Sequence, residues 1–230
     1  MDDDRQPTIS ENLNRVKDAI HRAAERSGRT SDRIMLVAVS KYVPLAQLKE
    51  AARWGISVFG ESRVQEGVAK FLDSGFIKEI DALHFIGPLQ TNKVNKAVGL
   101  FDVIHSVDSM HLAERISREA GRRGIRQSIL IEVNIGGEKS KHGTSPRETP
   151  TLVDAIRRLP NLSLLGLMTV PPPSPHPEGS RPYFAALRTL GQRMDLHRFS
   201  MGMSSDFEVA IEEGATWVRV GTALFGKRDA

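Results

Sequence analysis

Eight short apolar runs, each followed by a stretch with helical spacing, set the strongest limit on what this chain can fold into. The runs read as strands over Ile34 to Ser40, Ser57 to Gly60, Leu83 to Ile86, Val103 to Ser106, Ser128 to Asn134, Ser163 to Met168, His197 to Ser200 and Thr216 to Val220. Helical stretches begin near Leu45, Ser62, Thr91, Ser109, Arg147, Arg181 and Ser205, with a short one after Gly221. Phe184, Leu187, Leu190 and Met194 show the spacing well. Strands that alternate with helices pair in parallel through right-handed crossovers, and eight such units close a (β/α)8 TIM barrel. An open doubly wound sheet would favour a GxGxxG turn after the first strand, where this chain has SKYVP.

An amphipathic helix precedes the first strand, with Leu13, Val16, Ile20 and Ala23 on one face and Ser10 expected as its N-cap. Residues 1–30 are therefore read as an N-terminal extension and extra helix, and 1–230 as one barrel domain. The proline-rich stretch 171–179 reads as a mobile loop after the sixth strand, because it can be neither helix nor central strand.

Composition removes several alternatives. No cysteine occurs in the 230 residues, so disulfide scaffolds and cysteine-ligated metal sites are excluded. The seven histidines show no HxH or HExxH spacing. The start, MDDDRQPTISENL, is acidic where a signal peptide is basic, and no long apolar run follows, which points to a cytoplasmic protein without a membrane span. A net charge of +4 invites a nucleic-acid reading. However, Arg115, Arg118 and Arg122 are interleaved with Glu114 and Glu119, and two Trp and two Tyr leave little for bases to stack on.

In a barrel the chemistry lies past the C-terminal ends of the strands. Lys41 follows the apolar LVAVS, and desolvation there would favour the free amine that condenses with an aldehyde. Ser200 through Ser204 and Gly221-Thr222 supply the small residues, hydroxyls and free N–H groups that bind a phosphate. Ser205 is expected to cap the next helix, with Glu208 as its capping-box partner. Arg219, in the apolar WVRVG, needs a partner: a barrel salt bridge, or an acid or electron-rich heterocycle. His84, beside Phe85 and Ile86, is either a hydrogen-bonded core residue or part of a pocket wall. No Ser, His, Asp triad is evident.

The stretches AVSKYVP, FGESRVQEG, HFIGPLQTNK, EVNIGGEKSKHG, GLMTVP and SMGMSSDFEVAIEEGATWVRVGTALFG resemble the pyridoxal phosphate homeostasis proteins, the YggS/PROSC family of PLP-binding proteins. The resemblance implies a single barrel similar to the N-terminal domain of alanine racemase. It also implies pyridoxal 5'-phosphate (PLP) held covalently on Lys41 as a Schiff base, with Ser200, the Met201 backbone, Gly221 and Thr222 on the phosphate. Arg219 would face the pyridine nitrogen, and Ser62 and His84 would complete the contacts. Where the family pattern reads FGEN this chain has Ser62, a shorter group with fewer hydrogen bonds to offer.

The expected function is PLP homeostasis without turnover, in a monomer whose recipients are PLP-dependent apoenzymes. The alternative is an amino-acid racemase, which needs a second base on the opposite face of the cofactor. In alanine racemase a partner-subunit tyrosine serves, on a dimer completed by a β domain; here the tyrosines are Tyr42 and Tyr183, and few residues remain for such a domain. A Schiff-base aldolase at Lys41 is a third reading.

Overall fold

Parallel strands buried on both faces need apolar side chains in nearly every position, and the eight apolar runs meet that need. In the computed structural model, which describes residues 7–138 and 142–227, they form a closed barrel in sequential order with every pair parallel. The strands are β1 (Met35–Val39), β2 (Val58–Glu61), β3 (Ala82–Phe85), β4 (Val103–Val107), β5 (Gln127–Glu132), β6 (Leu162–Met168), β7 (Arg198–Ser200) and β8 (Trp217–Val220). Residues 1–6 of the N-terminal extension and 139–141 of the EVNIGGEKSKHG motif lie outside the described residues.

Side chains alternate across each strand. Phe59, Leu83, Ile104, Ile129, Leu167 and Val218 join the large apolar core packed with the helices. A second apolar cluster, formed by Val37, Val103, Leu130, Met168 and Trp217, fills the barrel interior. Met35 pairs with Trp217 and Val37 with Arg219 between β1 and β8, so Arg219 stands one layer above Trp217 on the interior side.

The longer helices are α1 (Ile9–Arg26), α2 (Leu45–Arg53), α5 (Met110–Arg122), α6 (Thr149–Arg157) and α7 (Arg181–Gln192). The shorter ones are α3 (Val64–Gly67), α4 (Val94–Ala97), α8 (Phe207–Glu212) and α9 (Thr222–Phe225). α3 runs straight into a π-helical segment, Val68–Asp73.

Three local expectations need correction. The N-cap of α1 is Thr8, not Ser10: Thr8 and Glu11 form a reciprocal capping box. Ser205 does not cap α8, because Glu208 is drawn to Arg26 at 2.8 Å and Asp206 organises the turn. Asp206 Oδ1 accepts the Met203 N–H at 2.7 Å, and its Oδ2 accepts the Ser180 hydroxyl at 2.9 Å. The proline-rich stretch 171–179 is irregular as expected through 176, then enters a 3-10 turn, Pro177–Ser180, that leads into α7.

Candidate functional site

Across the C-terminal mouth of the barrel lies a cavity of about 750 Å³, bordered by Lys41, Ser62, Arg219, Gly221 and Thr222 among others. Lys41 stands in the turn after β1. That turn reverses at Tyr42, whose φ of 60° lies in the left-handed region. Lys41 Nζ sits 4.6 Å from the centre of the Tyr42 ring, and the residue is partly buried. Ser62 follows β2. A Cβ on Gly87 would fall 2.3 Å from the Ser62 carbonyl oxygen, so glycine there permits the close approach of the two loops. The Ser62 hydroxyl is buried and has no hydrogen-bond partner among the described residues.

Arg219 is 4% exposed. Its Nη1 donates to Ser200 Oγ at 2.6 Å and its Nη2 to the Thr169 carbonyl at 2.9 Å. Both acceptors are uncharged, so the salt bridge considered for this position is not formed among the described residues. Burial lowers the Arg219 pKa to about 10, against the opposing influence of Glu132 and Asp206; the guanidinium stays charged at neutral pH.

Ser200, Met201 and His84 do not border the cavity. Ser200 Oγ also meets His105 Nδ1 at 2.9 Å, and His105 Nε2 meets His84 Nδ1 at 3.0 Å. Both imidazoles lie about 5 Å from the Trp217 ring, at 5.0 and 5.1 Å. Burial lowers the His84 pKa to about 4. Burial, then His84 and Arg219, hold His105 well below its ordinary range, so the pair is neutral. His84 is buried and hydrogen-bonded, as the first of its two readings has it. The Met201 N–H is committed to the Trp217 carbonyl at 3.1 Å.

The anion-binding geometry falls on a neighbouring residue. Gly221 N–H and Ala223 N–H both donate to Ser204 Oγ, each at 3.2 Å. Gly202, with φ of 89°, makes the tight turn that brings Ser204 there. Two backbone N–H groups converging on one oxygen is the arrangement that accepts an oxyanion. Ser204 was visible in the small-residue run after β7, but Ser200 could not be told from it by position. Met203, Val170 and Ile86 add apolar wall that no motif marked.

A closed parallel barrel with a mouth lysine, a buried arginine and paired backbone donors defines a barrel of the alanine racemase type. The alanine racemase N-terminal domain family matches residues 9–229. An alanine racemase of Clostridium difficile 630 superposes with a TM-score of 0.74 at 15% identity, covering 97% of this chain and 57% of that one, a likeness of fold alone. The chain belongs to the pyridoxal phosphate homeostasis protein family. It is 46% identical to the protein of that name from Aquifex aeolicus over 95% of this chain and 97% of the relative. The structure of PipY of Synechococcus elongatus PCC7942, with PLP bound, matches at 35% identity and a TM-score of 0.83, covering 95% of this chain and all of that one, 100%.

Proposed function

We propose that this chain holds PLP as a Schiff base on the Lys41 amine, shields it, and releases it or hands it to PLP-dependent apoenzymes without turning over a substrate of its own. The observation that carries this reading is the convergence on one cavity of Lys41, the Arg219 guanidinium and the Gly221 turn beside Ser204.

The residues present fit the group. A primary amine is what an aldehyde requires. A phosphate oxygen accepts more strongly than a serine hydroxyl, so it can take over the two N–H groups that Ser204 now satisfies, with the Thr222 hydroxyl beside them. Ser200 Oγ accepts from Arg219 Nη1 and so helps to orient the guanidinium. Ser62 borders the same cavity, and its hydroxyl has no partner among the described residues.

Bound PLP supplies a reactive aldehyde and a ring that accepts electrons best when its nitrogen is protonated. A fixed cation in Arg219's place disfavours that proton, which suits custody of the aldehyde more than carbanion chemistry. The family name and the PLP-bound relative support the same ligand. The working form proposed is a cytoplasmic monomer whose partners are PLP and its recipients, not nucleic acid or membrane. No helix among the described residues is long and apolar enough to cross a membrane.

Borohydride reduction of the PLP-loaded protein, followed by peptide mass spectrometry, is expected to place a pyridoxyl group on Lys41, and the visible absorption band is expected to vanish in Lys41→Ala. An adduct confined to another lysine overturns the assignment. Chiral analysis of amino acids incubated with the loaded protein is expected to show no racemisation at enzymatic rates; sustained racemisation would replace custody with catalysis.

A further inference from the structure

Lys41 is flanked by Ser40 and Tyr42, and both neighbours are gripped by the same ion pair. Lys70 Nζ donates to the Ser40 carbonyl at 2.8 Å, and the Tyr42 N–H donates to Glu66 Oε2 at 3.2 Å. Lys70 and Glu66 are themselves joined at 2.8 Å. We propose that Lys70, with Glu66, is a positioning pair for Lys41, a latch that holds the lysine turn in its left-handed conformation and thereby sets how firmly the lysine retains its cofactor. This inference rests on the PLP reading of Lys41.

Three further observations converge on it. A tyrosine at φ of 60° persists only where its surroundings impose it, and the Glu66 contact on the Tyr42 N–H is such a constraint. Lys70 also lies 3.1 Å from Glu61 Oε1, which accepts the Ser40 hydroxyl at 2.9 Å, so one ammonium serves two carboxylates and a carbonyl. Glu61 is fully buried, and removing Lys70 would leave two carboxylates without their shared cation. Finally, Lys70 stands in the π-helical segment after α3, a departure from regular helix of the kind often found at functional sites. Phe71 in that segment stacks on Phe76 at 5.4 Å and packs on Phe59 at 5.7 Å, which anchors the segment to β2. Burial favours the neutral form of Glu66, but Lys70 and the Tyr42 N–H outweigh it and lower its pKa, so the Glu66 carboxylate is charged at neutral pH.

The test uses the full chain, with and without PLP. In the cofactor-free protein, hydrogen exchange of the Tyr42 amide is followed in the wild type, Lys70→Met, Lys70→Arg and Glu66→Gln. Exchange roughly tenfold faster is expected in Lys70→Met and Glu66→Gln, with Lys70→Arg close to wild type. In the loaded protein, PLP loss into excess hydroxylamine is expected to accelerate by about tenfold in the same two variants and not in Lys70→Arg. A merely structural role would lower the melting temperature without singling out Tyr42 or being rescued by arginine. Tyr42 exchange and PLP loss both within about twofold of wild type would overturn the proposal. If Lys70→Met does not fold, Glu66→Gln, which keeps its shape and leaves Lys70 on Glu61, decides by the same readouts. If the wild type takes no PLP on Lys41, the functional reading fails while the cofactor-free exchange still decides whether the latch exists.

Discussion

The Ser62 hydroxyl is a buried group with nothing to bond among the described residues. An unmade hydrogen bond is a standing cost that a longer side chain can relieve. Ser62→Asn, which reaches further into the cavity with both a donor and an acceptor, is expected to tighten PLP binding by roughly threefold to tenfold, read by equilibrium titration of the absorption band. Unchanged or weaker binding would mean that the serine is adapted to its place. The histidines make a second prediction at this scale. His84 in the fold has a pKa of about 4 against an ordinary 6.5, so between those values the unfolded chain binds the extra proton and the native state does not. Its stabilising contribution is complete above pH 6.5 and falls away as the pH drops towards 4. About 2 kcal/mol from this residue is expected to be lost between pH 7 and pH 5, visible in urea unfolding and reduced in His84→Gln. The burial of His84 was suggested by its apolar neighbours. Its bond to His105 was not, because the two meet only through the pairing of adjacent strands, which no local spacing encodes.

Among the elements, α1 shows how a helix outside the repeat serves the site. It packs its apolar face on α8 and α9, and Asn12 Nδ2 donates to the Leu224 carbonyl at 3.0 Å, bracing the short helix that opens at Gly221. Thr8→Ala is expected to cost about 1 kcal/mol by removing the capping box, and Ser10→Ala less than about 0.5 kcal/mol, measured by chemical unfolding. Equal effects would return the cap to Ser10. The strand runs were legible because a parallel strand buried on both faces is apolar almost throughout, and their ends fell within a residue or two of the structure. The cap was not: Thr8 and Ser10 both precede an apolar periodic stretch, and only Glu11's reach back to the Thr8 N–H separates them. The π segment after α3 was equally hidden, since its apolar spacing does not distinguish it from ordinary helix and the aromatic cluster that anchors it is tertiary.

At the scale of the whole molecule, the barrel is shared with enzymes at identities too low to carry an activity, so what the chain does must lie in the residues at its mouth and not in its architecture. The order of elements was enough to predict the closed barrel, because eight βα units leave few ways to satisfy parallel pairing and burial together. It pointed to Gly221 but not to Ala223, nor to Ser204 as the oxygen on which both N–H groups converge, because that meeting joins the loop after the seventh strand to the segment after the eighth. Those loops, the turn at Lys41 and the arginine in β8 belong to elements far apart in the chain, so a ligand that engages all of them binds the folded barrel and has no counterpart site in the unfolded one. Linkage then requires stabilisation of about 2.7 kcal/mol at PLP one hundred times its dissociation constant. For a chain of this size that corresponds to a rise in melting temperature of roughly 5 to 10 °C. Lys41→Ala, which keeps the anion donors and loses the covalent link, is expected to show a smaller rise, and pyridoxal without phosphate a smaller one again. Calorimetric scans of wild type and variant with each ligand test this. An equal rise for PLP and pyridoxal would remove the Gly221 and Ala223 donors from the account of binding and leave Lys41 to hold the ligand alone.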